Sequence, residues 1–266
     1  MITSLRNEQI KHYKRLLNRG QKAGAALELP LEGLHLVEEA LNCGVHLHTL
    51  FFAPELVRDR DWLRIKEKMP ASMRCLQVSP EVFEYISQTD SPQGIAAIAK
   101  YPEPDLQDIL QQPHLQGVMV DSLQDPGNWG AIVRTAAAAG FTAVFYNKGT
   151  VNLANDKFLR ATAGALFRLP VAYVPDNAEF VANLKERGIK MVAATPQAAK
   201  SYYETDLLPP CLLVIGNENR GISSSLLPDY ATSVNIPQHR GVESLNASVA
   251  AGVLIYEALR QLKTRG

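Results

Sequence analysis

Cys211-Leu212-Leu213-Val214-Ile215-Gly216-Asn217-Glu218-Asn219-Arg220-Gly221 decides the fold class of this chain. Five apolar residues in a row, ended by a glycine, have the pattern of a strand buried on both faces, the habit of parallel sheets. The polar loop after it therefore leaves the carboxyl end of such a strand, where open α/β sheets hold their ligands. Tyr230 to Ile236 reads as a second, weaker strand closed by Pro237, which has no N–H for a ladder bond. Glu243-Ser244-Leu245-Asn246 then opens the last helical stretch, so two short loops concentrate glycines, carboxylates, a hydroxyl and amides.

Working outward, strand-like segments at Gly117–Asp121, Thr142–Tyr146, Leu169–Val174, Lys190–Ala194, Leu212–Ile215 and Thr232–Ile236 alternate with helical ones. A mostly parallel sheet covered on both faces is the expected architecture. Upstream, Tyr101-Pro102-Glu103-Pro104-Asp105 and Gln111-Gln112-Pro113-His114 read as a linker. Before it, helical patterns at Glu8–Leu17, Leu34–Leu41, Asp61–Lys68 and Pro80–Ile86 alternate with apolar segments at Leu47–Phe52, Met73–Val78 and Gly94–Ala99, a smaller α/β layer. The expected division is residues 1–100, a linker at 101–114, and a second domain at 115–266.

With 266 residues and an apolar fraction of 46%, the chain can fill the core of one large or two ordinary domains. Its 27 basic and 27 acidic residues cancel, so overall charge gives no strong attraction to nucleic acid. A local patch does exist: Arg6, Lys11, Lys14, Arg15, Arg19 and Lys22 face one acid, Glu8, near the start of the chain. A solvated helix face and a phosphate-binding surface are both open for it. Cys43, Cys75 and Cys211 make no paired spacing, so neither a disulfide framework nor a zinc site is expected. No segment has the apolar length of a signal sequence or a membrane span, and a soluble, cytoplasmic protein is the expectation.

The chemistry begins at Asp121-Ser122-Leu123-Gln124-Asp125-Pro126-Gly127-Asn128-Trp129-Gly130, a strand-to-helix turn with Pro126-Gly127 as its signal. A helix is expected from about Gly130, with Asn128 as its N-cap or as a site residue. Arg134 stands in an otherwise apolar helix and needs a partner, whereas Ala136–Ala139 reads as helix-on-sheet packing. Neither Gly-x-Gly-x-x-Gly nor a P-loop is present, so a ligand would be held in some other way.

Three clusters, Asn128-Trp129-Gly130-Ala131-Ile132-Val133-Arg134, Leu213 through Ser223, and Ile236-Pro237 through Glu243-Ser244-Leu245-Asn246-Ala247-Ser248-Val249-Ala250, resemble in order and spacing the motifs of the SpoU (TrmH) family of RNA 2′-O-ribose methyltransferases. Arg160 to Pro170 is similar to the family as well, and the likeness covers 115–266. Glu32 to Leu41 resembles, more loosely, an L30-like substrate-binding domain. The resemblance implies an α/β-knot domain with a deep trefoil knot, an exception to the unknotted rule, acting as a homodimer with S-adenosylmethionine as cofactor. Carried over by position, Thr195, Gly216, Ile236 and Leu245 hold the cofactor, and no metal or membrane is implied.

The implied reaction is methyl transfer to a ribose 2′-hydroxyl, a poor nucleophile that must be oriented and relieved of its proton. The resemblance puts Arg134 nearest that task. A guanidinium pKa above about 12 makes a neutral arginine costly, so its assigned role is to hold the RNA phosphate and orient the hydroxyl. Asn128 positions the RNA or Arg134, Glu218 fixes its loop, and Ser244 and Asn246 bridge the cofactor pocket and Arg134. For Ser244, capping the last helix is the competing role; for Arg160, an RNA phosphate and a structural ion pair compete. His239 and Arg240 fall in the knot-forming loop. Departures from the family pattern at Ala138-Ala139, Asn219 and Gln238 remove no reactive group. The layout points to large-subunit ribosomal RNA, with Arg6, Lys11, Lys14, Arg15 and Arg160 on phosphates. A tRNA target, or an inactive assembly factor, would be the alternative.

Overall fold

The computed structural model describes residues 1–19, 21–23, 26–239 and 244–265. They form two compact units, one of Met1–Glu103 with Asn152–Arg168, the other of Pro104–Val151 with Leu169–Gly266. The segment 152–168, which chain order alone would count with the second stretch, makes its contacts with the first.

The first unit begins with α1 (Glu8–Arg19) and β1 (Gln21–Ala23), then β2 (Ala26–Glu32), α2 (Leu34–Asn42), β3 (His46–Phe52), α3 (Asp59–Lys68), β4 (Arg74–Gln77), α4 (Pro80–Ile86) and β5 (Ile95–Pro102). Its sheet runs β1-β2-β5-β3-β4, antiparallel except for the parallel β3/β4 pair. Ile10, Tyr13 and Leu16 recur along one face of α1 and pack with Val82, Phe83 and Ile86 of α4 over Phe51, Ala96 and Ile98. Tyr13 meets Phe51 edge-on at 5.5 Å and donates its hydroxyl to the Leu31 carbonyl at 3.0 Å, so the buried phenol is satisfied.

Strand β2 is absent from the sequence reading because Leu-Glu-Leu-Pro-Leu-Glu carries a proline and two acids. Pro30 is tolerated because β1 pairs only with Ala26–Glu28, so Pro30 lies where β2 has an open edge. The acids are buried but paired: Glu28 meets His12 Nε2 at 3.0 Å, and Glu32 accepts from Ser87, Thr89 and the Gln88 amide. Helix α7 (Asp156–Thr162) packs on β2, and Arg168 pairs with Glu39 at 2.6 Å.

The second unit contains α5 (Leu106–Leu110), β6 (Gln116–Val120), α6 (Pro126–Ala138), β7 (Ala143–Asn147), β8 (Val171–Val174), α8 (Asn177–Glu186), β9 (Lys190–Ala194), β10 (Cys211–Ile215), β11 (Thr232–Val234) and α9 (Ala247–Arg265). Its strands run β11-β9-β10-β6-β7-β8 and every pairing is parallel. All five residues of β10 are buried, as a strand covered on both faces requires. Phe180 and Leu184 of α8 join Phe145, Met119 and Val214 in one core, while α6 and α9 pack on each other and on the sheet, burying Trp129, Ile132, Leu254 and Ile255. Burial pushes the Cys211 thiol up to about 12, so it is a packing residue, un-ionised at neutral pH.

Candidate active site

Because the sheet is parallel, its loops leave the carboxyl ends together. Strands β6, β7 and β8 run outward from the middle in one direction, and β10, β9 and β11 lie in the other, so the order reverses between β6 and β10. Open α/β sheets place their ligands at such a reversal. The loop 121–125 after β6 and the loop 216–223 after β10 flank it, joined by Asn217 Nδ2 to the Ser122 carbonyl at 2.7 Å.

Helix α6 starts at Pro126, earlier than the sequence suggests, and its N-cap is Asp125, whose carboxylate accepts from Asn128 N at 2.7 Å. Asn128 is therefore not the cap. Asp followed by proline at the first helical position is the signal that identifies the start, and Asn128 occupies the third helical position with its amide free for other partners. That amide donates from Nδ2 to Glu218 Oε1 at 3.2 Å and accepts at Oδ1 from Asn246 Nδ2 at 2.8 Å. Two segments far away in sequence thus meet at one side chain of α6.

Asn246 has a second function. Helix α9 begins at Ala247, and Asn246 Oδ1 accepts from Ser248 N at 2.9 Å and Val249 N at 3.3 Å. It is the N-cap of α9 rather than a residue inside it, and Ser244 is not the cap. Ser248, missed in the sequence reading although it lies in the third motif, donates to Asn246 Oδ1 at 2.6 Å and reaches Asn128 Oδ1 at 3.3 Å. The signal was its position at the second residue of the last helix, beside the cap. Ser244 is exposed and enters no hydrogen bond of this chain among the described residues.

Arg134 is exposed on α6 and, among the described residues, pairs with no carboxylate. Six residues separate it from Asn128, about 240° of helical rotation, so it projects from a different side of α6 and stands outside the hydrogen-bonded chain. Arg160 is already engaged, Nη1 to Asp156 Oδ2 at 2.6 Å one turn back. Arg6, Lys11 and Arg15 are exposed; Lys11 pairs with Glu8 at 2.8 Å and Lys14 lies 4.9 Å above the Tyr85 ring. Arg240 and Glu243 lie outside the described residues.

Three of the four residues proposed for the cofactor sit at strand ends. Thr195, Gly216 and Ile236 follow β9, β10 and β11, three adjacent strands, and Thr195 N donates to Val234 O at 2.9 Å. Leu245 precedes the cap of α9. Two observations fit S-adenosylmethionine there. The Gly216 backbone is so closely approached that a Cβ would lie 2.6 Å from Ile222 N, so the loop folds back and leaves backbone groups at the strand end. Gln238 Oε1 is buried without a donor among the described residues, and an adenine amino group would supply one. Among the described residues no group of His, Cys, Asp and Glu is placed to hold a metal ion, and no helix is long and apolar enough to cross a membrane.

A parallel α/β unit with an amide-centred polar chain where the strand order reverses, and strand ends that fit a nucleoside cofactor, is the framework of a ligand-binding α/β enzyme. Residues 116–256 match the SpoU rRNA methylase family, and residues 7–97 match an MRM3-like substrate-binding domain. The chain is 32% identical to the 23S rRNA (guanosine(2553)-2′-O)-methyltransferase RlmP of Bacillus subtilis, over 96% of this chain and 97% of that protein. It is similar to the crystal structure of the SpoU methyltransferase AviRb from Streptomyces viridochromogenes in complex with AdoMet, at TM-score 0.86 and 26% identity, covering 98% of this chain and 100% of that one. An AdoMet-bound rRNA methyltransferase from Sinorhizobium meliloti superposes at TM-score 0.82 with 29% identity, covering 98% of this chain and 97% of that one. This chain belongs to the SpoU family of S-adenosylmethionine-dependent rRNA 2′-O-methyltransferases.

Proposed function

We propose that this enzyme methylates a ribose 2′-hydroxyl of 23S-type large-subunit ribosomal RNA, in the cytoplasm, with residues 1–100 gripping the RNA, a linker at 101–114, and residues 115–266 transferring the methyl group. The observation that carries this reading is the Glu218–Asn128–Asn246 chain, which fastens the three motif loops to one another. Bound S-adenosylmethionine supplies an electrophilic methyl group. Thr195, Gly216, Ile236 and Leu245 hold it with backbone groups and apolar side chains at the strand ends. Arg134, with its guanidinium uncommitted among the described residues, clamps the phosphate beside the target ribose and turns the hydroxyl into line. Asn128 and Glu218 fix the wall of the crevice, and Asn246 with Ser244 joins that wall to the cofactor side.

Two further parts of the reading have support in the surface and the family. Val249 and Tyr256, seven residues apart on α9, are 53% and 52% exposed, an apolar stripe suited to a second copy of the chain. We infer a homodimer through the second unit and a trefoil knot in its C-terminal part. Arg6, Lys11, Lys14, Arg15 and Arg160 contact phosphates without reading sequence.

The test is Arg134→Ala. Methyl transfer should fall by about 10²–10³-fold while calorimetric affinity for S-adenosylmethionine is unchanged; full turnover would remove Arg134 from this role. Mapping ribose methylation in ribosomal and transfer RNA, with and without active protein, identifies the target, and a change confined to tRNA would overturn the ribosomal assignment.

A further inference from the structure

The strand-end segment Asp121-Ser122 takes no part in the chemistry above, yet it holds the most enclosed polar group near the crevice. Asp121 is 3% exposed, and all its partners are donors: Asn147 Nδ2 at 2.8 Å and Ser122 Oγ at 3.1 Å on Oδ1, and the Ser223 amide at 2.6 Å on Oδ2. An acceptor-only group is what a carboxylate is. Asn147 turns its own Oδ1 to the Ser122 amide at 2.8 Å, which locks Ser122 at φ 56°, a left-handed conformation unusual for serine. The Ser122 carbonyl then accepts from Asn217 Nδ2 at 2.7 Å. Asn217 in turn shapes its own loop, accepting from Asn219 N and Arg220 N and closing a backbone pair with Gly221.

The loop between Gly216 and Ser223 is therefore fastened at two points, Asn217 to the Ser122 carbonyl and Ser223 to the Asp121 carboxylate. Glu218 lies inside that span, and the strand-end glycine, Gly216, stands immediately before it. We propose that Asp121 is a positioning residue for methyl transfer: by tethering Ser223 it holds the loop, and with it Gly216 and Glu218, in the geometry the reaction needs. The proposal rests on the methyl-transfer reading of the crevice. Asp121 touches neither RNA nor cofactor; it acts through the loop. A buried carboxylate with three donors resists loop displacement because leaving would strand those donors.

The experiment compares wild type, Asp121→Asn, and the double variant Asp121→Asn/Asn147→Asp. Asparagine keeps the volume at 121 but sets an NH₂ against either the Ser223 amide or the Asn147 amide, so one donor loses its acceptor. In the double variant the polarity is reversed: the amide at 121 accepts from Ser223 and donates to the carboxylate at 147, which still accepts from Ser122, while the Asn177 amide, which in the wild type accepts from Asn147 at 3.3 Å, turns over to donate to it and to accept from Ser225. Asp121→Asn should lower kcat by about 10²-fold, the scale of an ångström's misplacement, with KM for RNA within about twofold and with slower-exchanging protection of the Ser223 amide lost. The double variant should regain most of that kcat. A kcat for Asp121→Asn within about threefold of wild type overturns the proposal, as does a folded double variant with no recovery. Should Asp121→Asn fail to fold, the double variant alone decides by the same kcat criterion. A wild-type protein that binds S-adenosylmethionine but transfers no methyl to any RNA would sink the methyl-transfer reading instead, so the two failures are distinguishable.

Discussion

The two sheets of this molecule are made from similar residues and do opposite things with their loops. In the second unit every strand is parallel, so β6, β9, β10 and β11 all deliver their following loops to one edge. In the first, β2, β5 and β3 alternate in direction, and the loops are shared between two edges. A parallel sheet concentrates polar chemistry in a crevice, whereas a mixed sheet spreads it over a surface. The chain has one of each, and the proposed division between reacting and gripping would match this difference in strand direction.

That contrast can be broken most severely at Gly216. Gly216→Val should eliminate detectable S-adenosylmethionine binding in calorimetry and methyl transfer with it, because any Cβ there meets the Gly221–Ile222 backbone. Retained affinity would show that the crevice does not depend on the close approach of its loops. Next comes Trp129, wholly buried beside Tyr146 at 5.8 Å between centroids. Trp129→Ala should cost about 3–5 kcal/mol of stability, read as a drop in the denaturant midpoint.

The gripping surface should respond differently, by degrees and with salt. Reversing charge at Lys11, Lys14 and Arg15 should flatten the slope of log affinity against log salt by about three, at roughly 0.9 per phosphate contact, with cofactor affinity unchanged. An unaltered slope would move the RNA away from α1. The smallest effect belongs to the Arg168–Glu39 pair. The arginine holds the Glu39 carboxyl below its ordinary range, so the stabilisation is present above that range and fades as pH falls through it. Since Arg168 is 54% exposed, Arg168→Ala should lower the denaturant midpoint only slightly near neutrality, and the difference should shrink as acid protonates Glu39 below its lowered pKa. A difference between variant and wild type that does not shrink with acid would mean packing, not charge, is what Arg168 supplies.

How much of this was legible in the sequence also follows from the two sheets. A strand buried on both faces announces itself as a continuous apolar run, and Cys211–Ile215 and Lys190–Ala194 are found where the pattern puts them. Strand β2 was invisible because its acids are satisfied by partners 16 and more residues away, His12 on one side and Ser87 to Thr89 on the other. Sequence periodicity carries no record of such pairings. The same limit applies at the site: Asn128 could be singled out, but its role as junction rather than cap depends on Asp125 taking the cap and on Glu218 and Asn246 arriving from 90 and 118 residues away.

Asn246 draws one more consequence. Its oxygen closes the first turn of α9 while its nitrogen holds Asn128, so the end of a helix and the wall of the crevice share a single amide. Helix ends fray long before cores melt. Loosening the first turn of α9 would release Asn128 at the same moment, so the two cannot come apart independently.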